Sequence, residues 1–282
     1  MKVSTCIVTG YGINADLELE EAFRRAGSDP SRIHINDLIE NPGQLEGFQI
    51  MAFPGGFSFG DHLGSGKVFA TIFKKNLKER LEIFIERGKL IIGICNGFQV
   101  LVKMGILPNL SGRWNQEVSL IHNLSGIFED RWVKLRINNT SRCIWTRGID
   151  EIELPVRHGE GRFVTRSTEV LNELERKNLV TMRYTEKFDT VPGQAYDRSI
   201  HDSSERKVNA ENTWNVPYPF NPNGSVNDIA SICDETGRII GIMPHPEAFL
   251  FRENHPRWMR EKVNPENGLK IFENGVNYMS ES

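Results

Sequence analysis

The segment whose residue types and spacing most directly suggest chemistry is Gly93-Ile94-Cys95-Asn96-Gly97. A nucleophile between two glycines, where a buried strand turns into a helix, can stand clear of the sheet and face a pocket. The start of the helix adds free N–H groups and a favourable dipole, which promote the thiolate of Cys95. A free cysteine is more often an inert buried side chain. Cys6, Cys143 and Cys233 lack the turn and fit that description. A thiol nucleophile also needs a base, and the base an orienting group. His245-Pro246-Glu247, directly after the apolar run 238–243, supplies both. In extended backbone residues i and i+2 face one side, so Glu247 can lie against the His245 imidazole. A tetrahedral intermediate then needs oxyanion donors. The N–H of Asn96 is one candidate, and the N–H of Gly56, in Pro54-Gly55-Gly56-Phe57-Ser58, is a second.

These residues need a scaffold, and the first half of the chain alternates strand and helix patterns. Strands are expected at 2–10, 31–37, 48–56 and 89–95, with helices after Asn14, over 67–87 and from Asn96. The near-continuous apolar run 89–95 suits a strand buried on both faces. Repeated βα units predict an α/β fold, an open, mostly parallel sheet with helices on both faces. The carboxyl edge of such a sheet is where ligands bind, and both glycine turns fall there. The second half adds strands at 116–138, 143–157 and 179–185. A hairpin follows over 229–243, turning at Glu235-Thr236-Gly237, and a helix closes the chain. Residues 187–228 are polar, contain four prolines and show no period, which reads as a surface excursion. The simplest organisation is a single domain over 1–282 with a surface insertion around 187–215.

Composition narrows the function classes. The 282 residues carry 34 Lys and Arg against 37 Asp and Glu, a net charge of −3, so no global basic footprint points to nucleic acid. Hydrophobic residues at 39% build a core, while the longest apolar stretch, 90–107, is broken by Asn96, Gln99 and Lys103. No membrane span is expected. Four scattered cysteines without zinc-ligand spacing predict neither disulfides nor a metal site, and suit a cytoplasmic protein.

Two glycine-rich loops invite a nucleotide reading. Gly10-Tyr11-Gly12-Ile13-Asn14-Ala15 satisfies G-x-G-x-x-[GA] between a strand and a helix, so a dinucleotide-dependent oxidoreductase is an alternative. Asp16, Glu18, Glu20 and Glu21 crowd that helix start, where a pyrophosphate needs positive potential. A tight turn that caps the helix fits better. The 60–67 loop fails as a phosphate loop, because Asp61 replaces the required glycine and Val68 the Mg²⁺-binding hydroxyl. No cofactor is expected in this chain.

PGGFSFGD (54–61), GICNGFQ (93–99), HGEGRF (158–163), NPNGS (221–225) and MPHPE (243–247) occur in order. Together they resemble the class I, triad-type glutamine amidotransferases, and in particular the branch that serves as glutaminase component of phosphoribosylformylglycinamidine synthase. The resemblance spans nearly the whole chain and implies a flavodoxin-like fold. It assigns Cys95, His245 and Glu247 to the triad, Gly56 and Asn96 to the oxyanion donors, and Gln99 to a contact with glutamine. It implies that His158 and Glu160 frame the glutamine site or the partner interface. The expected partners are glutamine, a synthase subunit carrying ATP and Mg²⁺, and a small accessory subunit. Ala248 and Gly64 depart from the family pattern, which often has arginines there. A stand-alone α/β cysteine hydrolase is the other alternative.

Overall fold

The computed structural model describes residues 2–187, 216–261 and 266–281. Apart from Lys187, the insertion expected over 187–215 lies outside the described residues. The first half runs β1 (Ser4–Thr9), α1 (Asp16–Arg25), β2 (Asp29–His34), α2 (Ile35–Glu40), β3 (Ile50–Phe53), α3 (Lys67–Glu86), β4 (Leu90–Ile94) and α4 (Asn96–Met104). Then come β5 (Val118–Ile121), β6 (Glu129–Ile137), β7 (Glu151–His158), β8 (Arg162–Thr165), α5 (Thr168–Arg176) and β9 (Val180–Thr185). β10 (Ile229–Cys233), β11 (Ile239–Ile242) and α6 (Glu266–Glu281) complete the order.

One nine-stranded sheet, ordered β2-β1-β3-β4-β11-β10-β9-β6-β7, organises the chain. From β2 to β11 every pairing is parallel, the doubly wound arrangement in which β11 takes the fifth place. All residues of β3 and β4 are buried, as strands covered on both faces must be. One helical layer joins α1 to α6, with Phe23 edge-on to Phe272 at 5.1 Å between ring centres. The other contains α3 and α4; Phe69 and Phe73 of α3 sit against Phe53 of β3. From β11 to β7 the pairings are antiparallel, which is the strand-rich addition expected of the second half. β5 and β8 form a separate two-stranded ribbon.

Several expected boundaries move for local reasons. The strand proposed over 31–37 stops at His34, whose ring accepts the Asn36 N–H and so caps α2. The strand proposed over 116–138 is two strands, β5 and β6, separated by a turn at 122–128. Of the strand proposed over 143–157, only the part from Glu151 is strand. The larger correction concerns 216–228, read as part of a surface excursion. Asn221, Asn223, Ser225, Asn227 and Asp228 are buried there. Their side chains bond one another, and Asn221 Nδ2 donates to Asp228 Oδ1 at 2.8 Å. A polar stretch is not an exposed one when its amides and hydroxyls satisfy each other. Among the described residues no helix is long and apolar enough to cross a membrane.

Candidate active site

Cys95 closes β4 and precedes α4, with φ 52° and ψ −106°. Positive φ is costly for a residue with a Cβ and persists only where the surroundings impose it. The surroundings here are tight: a Cβ on Gly97 would lie 1.9 Å from the Phe53 carbonyl oxygen, so α4 packs this close to β3 only with glycine there. The strand β11 lies next to β4, and the chain leaving it delivers His245 beside the thiol. Gly55, at the end of β3, is the third wall, since a Cβ there would meet His245 Cε1 at 2.9 Å and Cys95 Cβ at 3.5 Å.

His245 Nδ1 and Glu247 Oε1 are 2.6 Å apart, and both residues are buried. Burial disfavours a charged ring, but the Glu247 carboxylate and Cys95 outweigh it and raise the His245 pKa to about 10. Nε2 is buried and has no hydrogen-bond partner. The thiol donates instead to the Arg157 carbonyl at 3.7 Å. The Cys95 sulfur is nevertheless close enough to the His245 ring to help raise its pKa. Cys95 is 6% exposed and His245 3%, so the pair is nearly closed from solvent.

The remaining expected residues fall into one network around this centre. The Asn96 side chain donates to Gln99 Oε1 at 2.8 Å and accepts the Ser58 N–H at 3.3 Å, tying the 54–58 turn to α4. Gln99 Nε2 donates to the Glu160 carbonyl at 2.6 Å, so both ends of the Gln99 amide are engaged by protein. That arrangement makes Gln99 a brace between α4 and the 158–163 segment, with one N–H and one lone pair of its amide still uncommitted. The Glu160 carboxylate accepts the Ser65 N–H at 3.4 Å and lies 3.9 Å from His122 Nδ1. Burial raises the pKa of nearby Asp61, and Glu160 adds to the effect. His158 is 2% exposed, which removes the partner-contact reading for its side chain. Its Nδ1 is 3.1 Å from Asn123 Oδ1, and Asn223 Nδ2 is 3.5 Å from its Nε2. Burial, assisted by the charge of His245, lowers its pKa to about 3, so the ring is neutral.

Sequence reasoning missed Arg157, whose guanidinium lies 3.4 Å from His245 Nδ1 and bonds Glu18 of α1 at 3.2 Å. It also missed Asn123 and Asn223, which face the His158 ring, and Tyr184, whose hydroxyl accepts from Asn223 Nδ2 at 3.0 Å. The signal for Asn223 was present in NPNGS, next in order to HGEGRF, but no spacing rule connects segments so far apart. The dinucleotide alternative fails on its own loop: the Asn14 and Ala15 N–H groups both donate to the Gly55 carbonyl, at 3.3 and 3.2 Å. They are not free for a pyrophosphate. Among the described residues, no group of three or more His, Cys, Asp or Glu side chains could hold a metal ion.

A cysteine at a strained strand-to-helix turn, with a buried His–Glu pair beside it on a doubly wound sheet, defines the class of protein. The chain belongs to the family of CobB/CobQ-like glutamine amidotransferase domains, whose profile matches residues 2–279. More particularly, it is 45% identical to the phosphoribosylformylglycinamidine synthase subunit PurQ of Dehalococcoides mccartyi, over 98% of each chain. Against the PurQ subunit of Treponema denticola the identity is 36%, covering 99% of this chain and all of that one. The structure of PurLQS from Thermotoga maritima contains a similar chain, with a TM-score of 0.69, 28% identity and coverage of 99% and 100%. A glutamine amidotransferase from Thermotoga maritima, at 15% identity and TM-score 0.53, shares the fold over the full length of both chains.

Proposed function

We propose that this chain is the glutaminase component of a phosphoribosylformylglycinamidine synthase. It hydrolyses glutamine to glutamate and supplies the ammonia to a synthase subunit that converts formylglycinamide ribonucleotide to the amidine. The observation that carries the reading is the buried His245–Glu247 pair beside Cys95, in a chain that aligns end to end with PurQ subunits.

The Cys95 proton passes to His245 Nε2 before Sγ attacks the γ-carboxamide carbon, as suits a base whose pKa is raised to about 10. The N–H groups of Gly56 and Asn96 receive the developing oxyanion. Glu247 holds Nδ1 and stabilises the imidazolium, so His245 keeps the proton until it is given to the leaving amine. Ammonia departs, and water deprotonated by His245 hydrolyses the γ-glutamyl thioester. None of these steps uses a nucleotide or metal of this chain; ATP and Mg²⁺ belong to the synthase subunit in this reading. The full assembly includes a small accessory subunit and works in the cytoplasm, where four free thiols stay reduced. Because the thiol is nearly closed from solvent, docking on the synthase is the event that opens the site in this reading.

The test is glutamate release by the chain, with and without its synthase, ATP and formylglycinamide ribonucleotide, together with labelling by a chloroketone analogue of glutamine. Release that rises on assembly, with label on Cys95 alone, is expected. Label centred on Cys6, Cys143 or Cys233, or full turnover in Cys95→Ala, would overturn the assignment. Equal release with and without the synthase would favour a stand-alone hydrolase.

A further inference from the structure

The loop Gly10-Tyr11-Gly12-Ile13-Asn14-Ala15 holds no nucleotide donors, yet its backbone is engaged from end to end. Asn14 and Ala15 donate to the Gly55 carbonyl, Phe57 donates to the Gly12 carbonyl at 2.8 Å, and Phe59 donates to the Tyr11 carbonyl at 2.8 Å. Ile13 and Gly56 form an antiparallel bridge. The bonds from Asn14 to Gly55 and from Phe57 to Gly12 flank that bridge, so Ile13 and Gly56 are a non-hydrogen-bonded pair. In such a pair the central residues point their own N–H and C=O away from each other.

The sheet order gives that direction a meaning. β3 lies between β1 and β4, so the 54–58 turn has the 10–15 loop on one side and Cys95 on the other. A Gly56 N–H aimed away from the loop is aimed to the side of Cys95. It has no protein hydrogen-bond partner among the described residues. We propose that the 10–15 loop is a positioning element for glutamine hydrolysis: by gripping the Gly55 carbonyl, it fixes the Gly55–Gly56 peptide with its N–H toward the nucleophile. This rests on the glutaminase reading above and adds a role for a loop that contributes no reacting group. A reversed peptide would turn the Gly55 carbonyl toward the oxyanion and give up both bonds to α1's entry. The critical position is Gly12: its φ is +84°, and a Cβ there would stand 2.1 Å from the Phe57 carbonyl oxygen. Arg157 is anchored from the same helix start through Glu18, so one turn of α1 steadies both sides of the thiol.

The experiment uses the full chain assembled with its synthase. Gly12→Ala displaces the 54–58 turn. Ala15→Pro deletes one N–H to the Gly55 carbonyl at a position with negative φ, −98°. Leu17→Ala is the control, since that side chain is exposed on the first turn of α1 and lies outside the loop. Gly12→Ala is expected to lower kcat for glutamate release by about 10²–10³, the cost of one oxyanion donor, and Ala15→Pro by about tenfold. KM should stay within about twofold on the reading that ground-state binding is untouched. Glutamate γ-semialdehyde, whose thiohemiacetal carries the oxyanion, should bind more weakly in step with kcat. Alkylation of Cys95 by iodoacetamide, which forms no oxyanion, should proceed at the wild-type rate.

Unchanged kcat in both folded variants would overturn the proposal. So would alkylation that falls in step with kcat, because that reports general collapse of the site. If Gly12→Ala does not fold, Ala15→Pro decides alone. Wild-type complex that releases no glutamate would instead remove the glutaminase reading, which separates the two failures.

Discussion

Gly97→Ala sets two physical effects against each other, and the structure decides between them. Gly97 lies in the first turn of α4 with ordinary helical backbone, so alanine should favour the helix by up to about 1 kcal/mol. Against this, the new Cβ would stand 1.9 Å from the Phe53 carbonyl oxygen and 2.6 Å from its carbon. Ordinary contact begins near 3.4 Å, so α4 must retreat from β3 by about 1.5 Å. Overpacking of this kind costs about 1–3 kcal/mol, which cancels or exceeds the helical gain. Catalysis should suffer more than stability. Cys95 is two residues away on the same turn, and a misplacement of about 1 Å can cost a factor of about 10². The expected result is a fall of roughly 2–4 °C in Tm for each kcal/mol of net loss, with kcat for glutamine lower by at least about 10². Circular dichroism melts and glutamate release on the assembled complex measure both. Wild-type kcat, or a raised Tm, would show that α4 does not bear on Phe53 and that the contact does not place the nucleophile.

Glu247→Gln should be far milder than His245→Ala in kcat/KM, because the amide oxygen can still accept from Nδ1 while only the imidazole moves the proton; equal losses would reverse the roles. The pH dependence of stability follows from two buried histidines that shift in opposite directions from an unfolded value near 6.5. His245, raised to about 10, contributes stability that is whole below pH 6.5 and lost as pH climbs through 10. His158, lowered to about 3, contributes stability that is whole above pH 6.5 and lost as pH falls toward 3. Urea midpoints across pH 4–10 should therefore show the alkaline limb start lower in Glu247→Gln and the acid limb flatten in His158→Gln. Curves that superpose on the wild type would refute the corresponding assignment.

The parallel half of the fold was legible because its signals are local. An apolar run, two glycines and an amphipathic helix announce β4, Cys95 and α4 within about twenty residues. The pairing of His245 with Glu247 follows from an i, i+2 spacing. Where polar side chains satisfy one another across long separations, composition misleads: Asn221, Asn223 and Ser225 read as solvent-facing and are buried. Gln99 was read from resemblance as a glutamine contact, and its commitment to Asn96 and Glu160 depends on a loop 61 residues away. Arg157 had no signal at all, because nothing local separates it from the other arginines.

The edge strand β7 carries a consequence for how the molecule comes to life during folding. Its Pro155 carbonyl accepts the His245 N–H at 2.8 Å, and its Arg157 carbonyl accepts the Cys95 thiol. Alternate carbonyls of a strand face one side, and Pro155, lacking an N–H, can only occupy the side turned away from the β6 ladder. A one-residue slip of β7 against β6 would turn both carbonyls from the triad and put the proline where the ladder needs a donor. The register of β6 with β7 thus bears on the placement of both the base and the nucleophile. A nascent chain can display its thiol as soon as β4 and α4 have formed. The base reaches its berth only after some 150 further residues have been made and a distant strand pair has closed in the right register. Nucleophile and base, some 150 residues apart in the chain, share one edge strand as their common support.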